Sequence, residues 1–361
     1  MIELSLPADW RWQLRHAVRS VAELEKHIEL TADELAGARH AEQEGFPLSI
    51  TPYYLGLCDP KDPSCPIRRQ VVPLLAEQRE VVGDMRDPLG EEAHEVAPEL
   101  VQRYPDRALL LVSDRCSVYC RFCTRSRMVG DGGGPRSDEK LAAAFRYLEE
   151  HAEVRDVIVS GGDPLTMSTE RLLRLVERLR KIPSVETIRL ATRVPVALPQ
   201  RITDELLNAL KPHHPLWVMT HFNHPKELTE TSRAALCRLA DAGFPVMNQT
   251  VLLRGINDDS RVLSELFRGL VRVRARPYYL LQMDPVRGSG HLRTPLATGV
   301  RIAEELQGRL SGIALPKFIV DTPGGFGKVP HGPSWVVHRE PGVTRFRTPR
   351  GVEVDYVDPP E

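Results

Sequence analysis

Residues 108–123 read ALLLVSDRCSVYCRFC and decide the fold, because a short apolar run leads directly into a group of cysteines. Runs of this kind are typical of strands that are buried in a parallel sheet. Comparable runs recur toward the carboxyl end, and each is followed by a candidate helix. The predicted strands cover residues 108–113, 156–160, 186–192, 216–221, 244–252, 277–283 and 317–321.

The segments between these runs are predicted to be helical, and several have Ser, Thr or Asp near the start, as a helix cap requires. They lie near residues 137–150, 168–181, 203–211, 229–242, 259–273 and 296–310. Alternating strands and helices predict parallel βαβ units that close into a full or partial α/β barrel. Residues 1–100 are predicted to be helical, with an acidic segment at 76–100 that is expected at the surface without a catalytic group. A short hairpin is expected around residues 343–356.

The charges of the chain nearly cancel, with 48 Lys and Arg against 49 Asp and Glu among 361 residues. This balance argues against bulk electrostatic binding to nucleic acid or to an anionic membrane. No apolar run approaches the ~18 residues of a transmembrane helix, and the amino terminus lacks the basic start and apolar core of a signal peptide. We therefore expect a cytoplasmic protein with neither nucleic acid nor membrane as a partner.

Three cysteines form a C-x3-C-x2-C pattern at Cys116, Cys120 and Cys123. Thiolates suit iron–sulfur clusters, and three thiolates leave one iron of a four-iron cluster open to a reactant. A zinc knuckle and simple buried cysteines remain alternatives, although no second cysteine pair follows, as zinc sites commonly need. The remaining cysteines are scattered and are interpreted as ordinary buried or loop residues: Cys58, Cys65 and Cys237.

A lysine, Lys328, follows the glycine-rich segment DTPGGFG at residues 321–327. A desolvated lysine amine can form a Schiff base with pyridoxal phosphate, so Lys328 is a candidate for that role. The segment is not a phosphate-binding P-loop, because Val329 stands where Ser or Thr would be required. Arg103 and Arg107 lie four residues apart and could grip a phosphate with their fork-shaped donors. The alternatives are an ordinary surface loop and exposed charges.

Together with Phe122, the cysteine pattern resembles the radical S-adenosylmethionine (SAM) superfamily, and SGGDPL at 160–165 resembles its glycine-rich segment. Further segments, from residue 9 to at least residue 330, are similar to the lysine 2,3-aminomutase family. They are DWRWQL (9–14), LSITPYY (48–54), YPDR (104–107), LPQRIT (198–203), THFNHP (220–225), LLRGIN (252–257) and RPYY (276–279). The resemblance implies a partial TIM-type (β/α)6 barrel at 101–295, after a helical region at 1–100. The extension at 296–361 would carry the pyridoxal phosphate lysine.

The resemblance also implies an isomerase that interconverts L-lysine and β-lysine by a 5′-deoxyadenosyl radical and a 1,2-amino shift. The implied cofactors are a [4Fe-4S] cluster, SAM and pyridoxal phosphate. The implied cluster ligands are Cys116, Cys120 and Cys123. The implied contacts of pyridoxal phosphate are Lys328, Arg103 and Arg107, and those of SAM are Ser160, Gly161, Gly162, Asp163, Arg193, His221 and Gln249. The implied substrate contacts are Arg125, Asp284 and Asp321.

Asp284 and Asp321 decide the expected substrate. Two carboxylates offset the desolvation of a buried ammonium and repel an acidic side chain, which favours L-lysine over glutamate. The alternatives are an aminomutase for glutamate or arginine and an enzyme that supplies β-lysine for modification of a translation factor. A catalytically silent iron–sulfur module is a further alternative, but it would need no Schiff-base lysine.

The chain departs from the family at two points. Asp259 follows GIND (255–258) where some relatives have a zinc-binding cysteine, and no cysteine lies beyond Cys237, so no zinc is predicted. Leu281 stands where several relatives have a tyrosine near the pyridine ring. A reducing electron donor such as flavodoxin or ferredoxin and a homo-oligomer are also expected.

Overall fold

The structure is a computed structural model and describes residues 9–43, 45–130 and 133–359. Ten strands of the described residues form one sheet in chain order, and three more form a second sheet. The strands are β1 (Glu95–Ala97), β2 (Leu100–Tyr104), β3 (Arg107–Ser113), β4 (Asp156–Gly161), β5 (Thr187–Ala191), β6 (Leu216–Thr220), β7 (Val246–Leu252), β8 (Ala275–Gln282), β9 (Lys317–Thr322), β10 (Gly327–Pro330), β11 (Val336–Glu340), β12 (Val343–Arg347) and β13 (Glu353–Val357).

The strands β3 to β9 are parallel, and each pairs with the next strand along the chain. β1 and β2 extend one edge of this sheet in antiparallel pairing, and β10 extends the other edge. Every predicted apolar run overlaps one of the parallel strands, which confirms the partial α/β barrel. β9 adds a seventh parallel strand to the six expected units. The sheet crosses both expected domain boundaries, because β1 precedes residue 101 and β9 follows residue 295.

Helices connect the parallel strands, and they include all six that the sequence predicts. Five of them begin where a side chain accepts a hydrogen bond from a first-turn amide, at Ser137, Ser168, Thr203, Thr229 and Asp259. The helices are α1 (Trp10–Arg15), α2 (Val21–Leu24), α3 (Ala32–Gln43), α4 (Pro52–Leu55), α5 (Asp138–Glu150), α6 (Thr169–Arg180), α7 (Val194–Ala197), α8 (Asp204–Leu210), α9 (Glu230–Asp241), α10 (Ser260–Arg272) and α11 (Leu296–Leu306).

The main apolar core lies between the helices and the sheet. Phe145 of α5 and Phe267 of α10 are buried in the same cluster as Val157 of β4. Ile50 and Tyr54 from the amino-terminal region also belong to this cluster. A fully buried side chain of this size contributes about 1.5–3 kcal/mol, so the amino-terminal region is held firmly on the barrel.

The carboxyl-terminal strands β11, β12 and β13 form a separate antiparallel sheet. The β12–β13 pair confirms the hairpin expected around residues 343–356. Much of this sheet is exposed, including Val354 and Tyr356. Among the described residues, no helix is both long and apolar enough to cross a membrane.

Candidate active site

Most of the predicted site residues gather at one edge of the barrel, where the parallel strands end, whereas Arg107 is the first residue of β3 and lies where these strands begin. The cysteine loop (residues 114–123) follows β3, and the Gly-Gly-Asp segment lies at the end of β4. Just after β5, β6 and β8 come Arg193, His221 and Asp284. Gln249 is partly buried on β7, and Asp321 is buried near the end of β9. The carboxyl ends of parallel barrel strands are the usual place for an active site.

The three thiols of the cysteine loop are partly buried and lie close together. Burial raises the pKa of Cys123 to about 11, and the neighbouring Cys120 adds to the shift. Burial also raises the pKa of Cys116 well above its usual range, with smaller contributions from Asp163 and the other two thiols. Three adjacent thiolates therefore need a bound cation to remain ionised together. This donor set suits an iron–sulfur cluster, which is held by cysteine thiolates.

A single metal ion is a poorer match for this loop. In the described part of the chain, no three His, Cys, Asp or Glu side chains converge on one ion position. A four-iron cluster instead takes one thiolate on each of several irons, so its ligands are spread more widely.

The amino-terminal region holds the cysteine loop in place through Arg121, a residue that the sequence analysis did not single out. Its buried guanidinium donates to Glu77 Oε1 at 2.9 Å and to the carbonyl oxygens of Phe46 and Pro47 at 3.0 and 2.9 Å. The Arg121 amide also donates to the Gln70 carbonyl at 2.9 Å. The chain between Cys120 and Cys123 is thus fixed by long-range contacts.

Gly161 and Gly162 bring the end of β4 against the cysteine loop. Gly161 has a φ of +116°, and a Cβ at this position would collide with the Ser113 carbonyl oxygen. A Cβ at Gly162 would lie 2.5 Å from the Arg115 carbonyl oxygen. Paired glycines let a backbone approach another group closely. The observed close approach is to the chain's own backbone at Ser113 and Arg115, which fixes the glycine segment against the start of the cysteine loop.

Asp163 is a buried anchor for the next strand end. Its carboxylate accepts hydrogen bonds from Thr192 Oγ1 and the Arg193 amide, both at 2.7 Å, and from the Leu165 amide at 3.0 Å. Burial raises the pKa of Asp163 to about 6, although these donors oppose the shift. The carboxylate therefore joins the ends of β4 and β5.

Arg193 contacts the cysteine loop and belongs to a buried polar network. Its Nη1 donates to Cys120 Sγ at 2.6 Å, and its Nη2 donates to Tyr54, Gln70 and Glu227 at 3.0, 2.6 and 2.9 Å. Gln70 and Glu227 were not predicted, because their separation from Arg193 in sequence hides the contact. The Arg193 Nε has no partner among the described residues.

His221 provides a second unsatisfied polar atom near the cysteines. Its Nε2 is enclosed and has no hydrogen-bond partner among the described residues, and its ring meets Phe122 edge-on at 5.6 Å. Burial, assisted by the Arg193 charge, lowers the pKa of His221 to about 3, so the ring is neutral at physiological pH. Unpartnered buried polar atoms are costly, which makes this region suited to a polar ligand such as SAM.

Lys328 lies on β10 directly opposite Asp321 of β9, and its ammonium forms an ion pair with that carboxylate. Arg103 Nη1 reaches the same carboxylate at 3.3 Å across the open side of the barrel. The Tyr104 hydroxyl accepts a hydrogen bond from the Lys328 amide at 2.9 Å. Side chains of β2 and of the β9–β10 hairpin thus join the two edges of the sheet.

Arg103 and Arg107 flank the Tyr104 ring, with their guanidinium carbons 6.0 and 3.8 Å from its centroid. Arg107 also contacts Asp106 at 3.1 Å. The structure therefore places both predicted phosphate-binding arginines on Tyr104, whose hydroxyl accepts a hydrogen bond from the Lys328 amide. Two guanidiniums and a nearby amine fit the phosphate and the aldehyde of pyridoxal phosphate.

Asp284 adds a second carboxylate beside Asp321. Burial raises the pKa of Asp284 to about 7, and the negative charge of Asp321 adds to the shift, while Lys328 and Arg103 oppose it. The charged groups of Asp284, Asp321, Lys328 and Arg103 therefore lie near one another. A pair of carboxylates that resists full ionisation attracts a cation, so this end of the site favours an ammonium group.

Arg125 links the cysteine loop to the rest of the site. It donates to the buried carboxylate of Glu91 at 2.7 and 2.9 Å and to Ser160 Oγ at 3.1 Å. The expectation that residues 76–100 lie at the surface is therefore wrong for part of the segment. Pro88, Gly90 and Glu91 are buried. The local sequence DPLGEE has the composition of an ordinary surface turn and contains no signal for this burial.

The fold and the cysteine loop define a radical SAM protein, and residues 110–266 match the model of that superfamily. Residues 303–361 match the family model described as lysine-2,3-aminomutase. The L-lysine 2,3-aminomutase of Clostridium subterminale is 46% identical over 97% of this chain and 84% of its own length. The L-lysine 2,3-aminomutase of Bacillus subtilis is 46% identical over 97% of this chain and 74% of its own length. The chain belongs to the lysine 2,3-aminomutase family of isomerases.

Family membership implies the predicted cofactors, which are a [4Fe-4S] cluster, SAM and pyridoxal phosphate. The partly buried thiols fit the cluster, the orphaned atoms of Arg193 and His221 fit a polar ligand beside it, and the Lys328 region fits the third group. A glutamate 2,3-aminomutase of Clostridioides difficile is also similar, at 40% identity over 98% of this chain and 84% of its own length. The family therefore includes enzymes for a substrate with a cationic side chain and for one with an anionic side chain. The charges in the site distinguish between these two substrates.

Proposed function

We propose that the protein interconverts L-lysine and β-lysine. The observation that carries this assignment is the pair of carboxylates Asp284 and Asp321 beside Lys328. A second carboxylate in the substrate would meet two like charges here, whereas the distal ammonium of lysine would be attracted. The relatives named L-lysine 2,3-aminomutase support the same choice.

Each end of the substrate has a matching group in the chain. We assign Arg125 to the α-carboxylate, because a guanidinium can bind a carboxylate through two parallel hydrogen bonds. We assign Asp284 and Asp321 to the distal ammonium. In the structure, the Lys328 ammonium forms an ion pair with Asp321. The substrate ammonium would take over this position, so one positive charge would replace another.

The remaining residues bind and orient the cofactors. When bound, the cluster and SAM supply the hydrogen-abstracting chemistry, and pyridoxal phosphate carries the amino group that moves from C2 to C3. We assign Cys116, Cys120 and Cys123 to the cluster, and Arg193 and His221 to the polar part of SAM. Lys328 supplies the amine for pyridoxal phosphate.

The other SAM contacts are proposed at the ends of β4 and on β7, at Ser160, Gly161, Gly162, Asp163 and Gln249. Arg103 and Arg107 would hold the phosphate of the third cofactor, since they flank Tyr104 next to the Lys328 amide.

We further propose a cytoplasmic setting, a reducing donor such as flavodoxin or ferredoxin, and a homo-oligomer. Cluster thiolates require a reducing compartment. Reconstitution of turnover with purified flavodoxin, in place of a chemical reductant, would test the donor. Analytical ultracentrifugation would test the oligomer, and a single monomeric species would contradict it.

The decisive experiment is turnover of several amino acids by the reduced, anaerobically reconstituted enzyme. L-lysine, L-glutamate and L-arginine are incubated separately, and products are identified by chromatography and mass spectrometry. We expect β-lysine from L-lysine and no product from L-glutamate. Conversion of L-glutamate or L-arginine in preference to L-lysine would overturn the assignment.

A further inference from the structure

Arg125 is held along one edge of its guanidinium. Glu91 Oε1 accepts from Nε at 2.9 Å and from Nη2 at 2.7 Å, and Oε2 lies 3.1 Å from Nε. Ser160 Oγ accepts from Nη1 at 3.1 Å. Because a guanidinium has five N–H donors, one donor on each of Nη1 and Nη2 is left without an acceptor in the described part of the chain. These two nitrogens form the end of the fork.

The free end of Arg125 suits a carboxylate. The side chain of Arg125 is 18% exposed, whereas that of Glu91 is only 4% exposed. Glu91 therefore occupies one edge of the guanidinium, and part of the Arg125 side chain remains accessible. A carboxylate can accept one hydrogen bond from each terminal nitrogen without displacing Glu91.

Glu91 is itself fixed by a second arginine. Arg127 Nη2 lies 3.3 Å from Glu91 Oε2 and 3.2 Å from Asp87 Oδ1. Burial opposes ionisation of Glu91, but the charges of Arg125 and Arg127 outweigh it and lower the pKa of this carboxyl. The carboxylate is thus a stable, ionised partner for Arg125.

The loop that carries Glu91 also contacts the Lys328 hairpin. The Pro88 carbonyl accepts from the Gly324 amide at 3.0 Å, and the Leu89 carbonyl accepts from Arg103 Nη1 at 3.2 Å. Gly90 packs so closely on Gly324 that a Cβ would lie 2.5 Å from its carbonyl oxygen. One loop therefore sets the distance between Arg125 and the hairpin that carries Lys328 and Asp321.

We propose that Glu91 is a positioning residue for substrate binding: it turns the free end of Arg125 toward the α-carboxylate of the amino acid. The inference rests on the proposed function, in which Arg125 binds that carboxylate. The opposite role for Glu91 would be a competitor that occupies Arg125 until substrate displaces it. The two roles predict opposite changes in substrate affinity when the charge of Glu91 is removed.

The test compares Glu91→Gln with Glu92→Gln in the reconstituted holoenzyme. Glu92 is a matched control, because its carboxylate is 60% exposed and contacts Arg127 rather than Arg125. We measure KM and kcat for L-lysine, and we measure the Kd from the change in visible absorption when L-lysine is added. Glu91→Gln removes the charge and keeps one acceptor oxygen, and in either orientation of the amide its nitrogen faces Arg125 Nε, so the guanidinium is held less firmly. We expect KM and Kd to rise about tenfold, a loss of the size of one charge-assisted hydrogen bond.

The kcat of Glu91→Gln should stay within about twofold, because a contact made equally in the ground and transition states affects only binding. Glu92→Gln should match the wild type. Glu91→Asp keeps the charge with a shorter reach, so its KM and Kd should be intermediate. If Glu91→Gln does not fold, as judged by thermal unfolding and iron content, Glu91→Asp still tests the proposal.

The positioning role would be overturned if KM and Kd are unchanged in Glu91→Gln. If only Glu91→Asp folds, unchanged KM and Kd in that variant would overturn it. A lower KM would identify Glu91 as a competitor and would overturn it too. The proposed function is judged separately, by whether the wild type forms β-lysine. The role of Glu91 is judged by the KM and Kd of the variant relative to those of the wild type, measured with whichever amino acid the wild type converts.

Discussion

Lys328 and Asp321 are direct partners across the β9–β10 hairpin, and their side chains form an ion pair. Cross-strand partners project on the same face of a sheet, so the hairpin register alone brings the amine and the carboxylate together. Asp321 also contacts Arg103 from the opposite edge of the barrel. One carboxylate therefore connects the proposed cofactor lysine, a proposed phosphate ligand and the proposed site of the substrate ammonium.

Replacing the amine tests the cofactor role of this pair. Lys328→Ala should lose the visible absorption band of lysine-bound pyridoxal phosphate and should have no detectable turnover, because no amine remains to hold the cofactor covalently. Lys317→Ala is the control, since Lys317 is exposed at the start of the same hairpin. An unchanged visible spectrum in Lys328→Ala would show that the lysine assignment is wrong.

Replacing one cysteine tests the cluster. Cys120→Ala should lower the iron content and abolish reductive cleavage of SAM, because a cluster with only two thiolate ligands is poorly held. Cys237→Ala, which changes a cysteine on α9 away from the loop, should keep both properties. Iron analysis and electron paramagnetic resonance measure the outcome. Full SAM cleavage by Cys120→Ala with an intact cluster would exclude Cys120 as a ligand.

The raised pKa of Asp284, about 7, predicts how lysine binding depends on pH. An ionised Asp284 attracts the substrate ammonium and a protonated one does not, so KM for L-lysine should rise as the pH falls from 8 to 6. The distal ammonium itself titrates near ~10.4 and keeps its charge throughout this range. Steady-state assays at constant ionic strength measure the profile.

Asp284→Asn provides the control for that profile. Its KM should be raised at all pH values and should be nearly flat between pH 6 and 8. Any slope that remains would come from other groups, of which Asp163 has a pKa of about 6. A variant with the wild-type slope would remove Asp284 from the explanation.

Gly161 predicts a coupling between backbone packing and the cluster. Gly161→Ala should destabilise the fold by more than about 2 kcal/mol, because it adds a collision with Ser113 to the strain of a positive φ. Gly83→Ala also has a positive φ but no atom within 4 Å of its Cβ, so about 1 kcal/mol is expected. Urea unfolding and iron content measure both effects. Equal losses in the two variants would show that the contact with Ser113 at the end of β3 is unimportant.

The strand and helix pattern could be predicted from the sequence because it depends on local features. The run at 108–113 became β3, and Ser137 and Asp259 cap the helices that begin after them. The cysteine spacing indicated the cluster for a similar reason, since three ligands lie within one loop. Motifs within a few residues of each other carry their own geometry.

The amino-terminal contribution to the site could not be predicted in this way. Glu91 meets Arg125 across 34 residues, and Arg103 meets Asp321 across 218 residues. Nothing in the composition around Glu91 distinguishes its buried carboxylate from the exposed one of Glu92. Only the closure of β2 against the β9–β10 hairpin places these charges together.

Local sequence was thus enough to determine the barrel, the cluster loop and the candidate lysine, because each depends on periodicity or on close spacing. Tertiary packing decided which charges pair with Arg125 and Asp321, and so how the two ends of a substrate would be held. The physical reason is that an ion pair depends on where two side chains lie in space. That position is set by the whole sheet and the loops packed on it rather than by neighbouring residues.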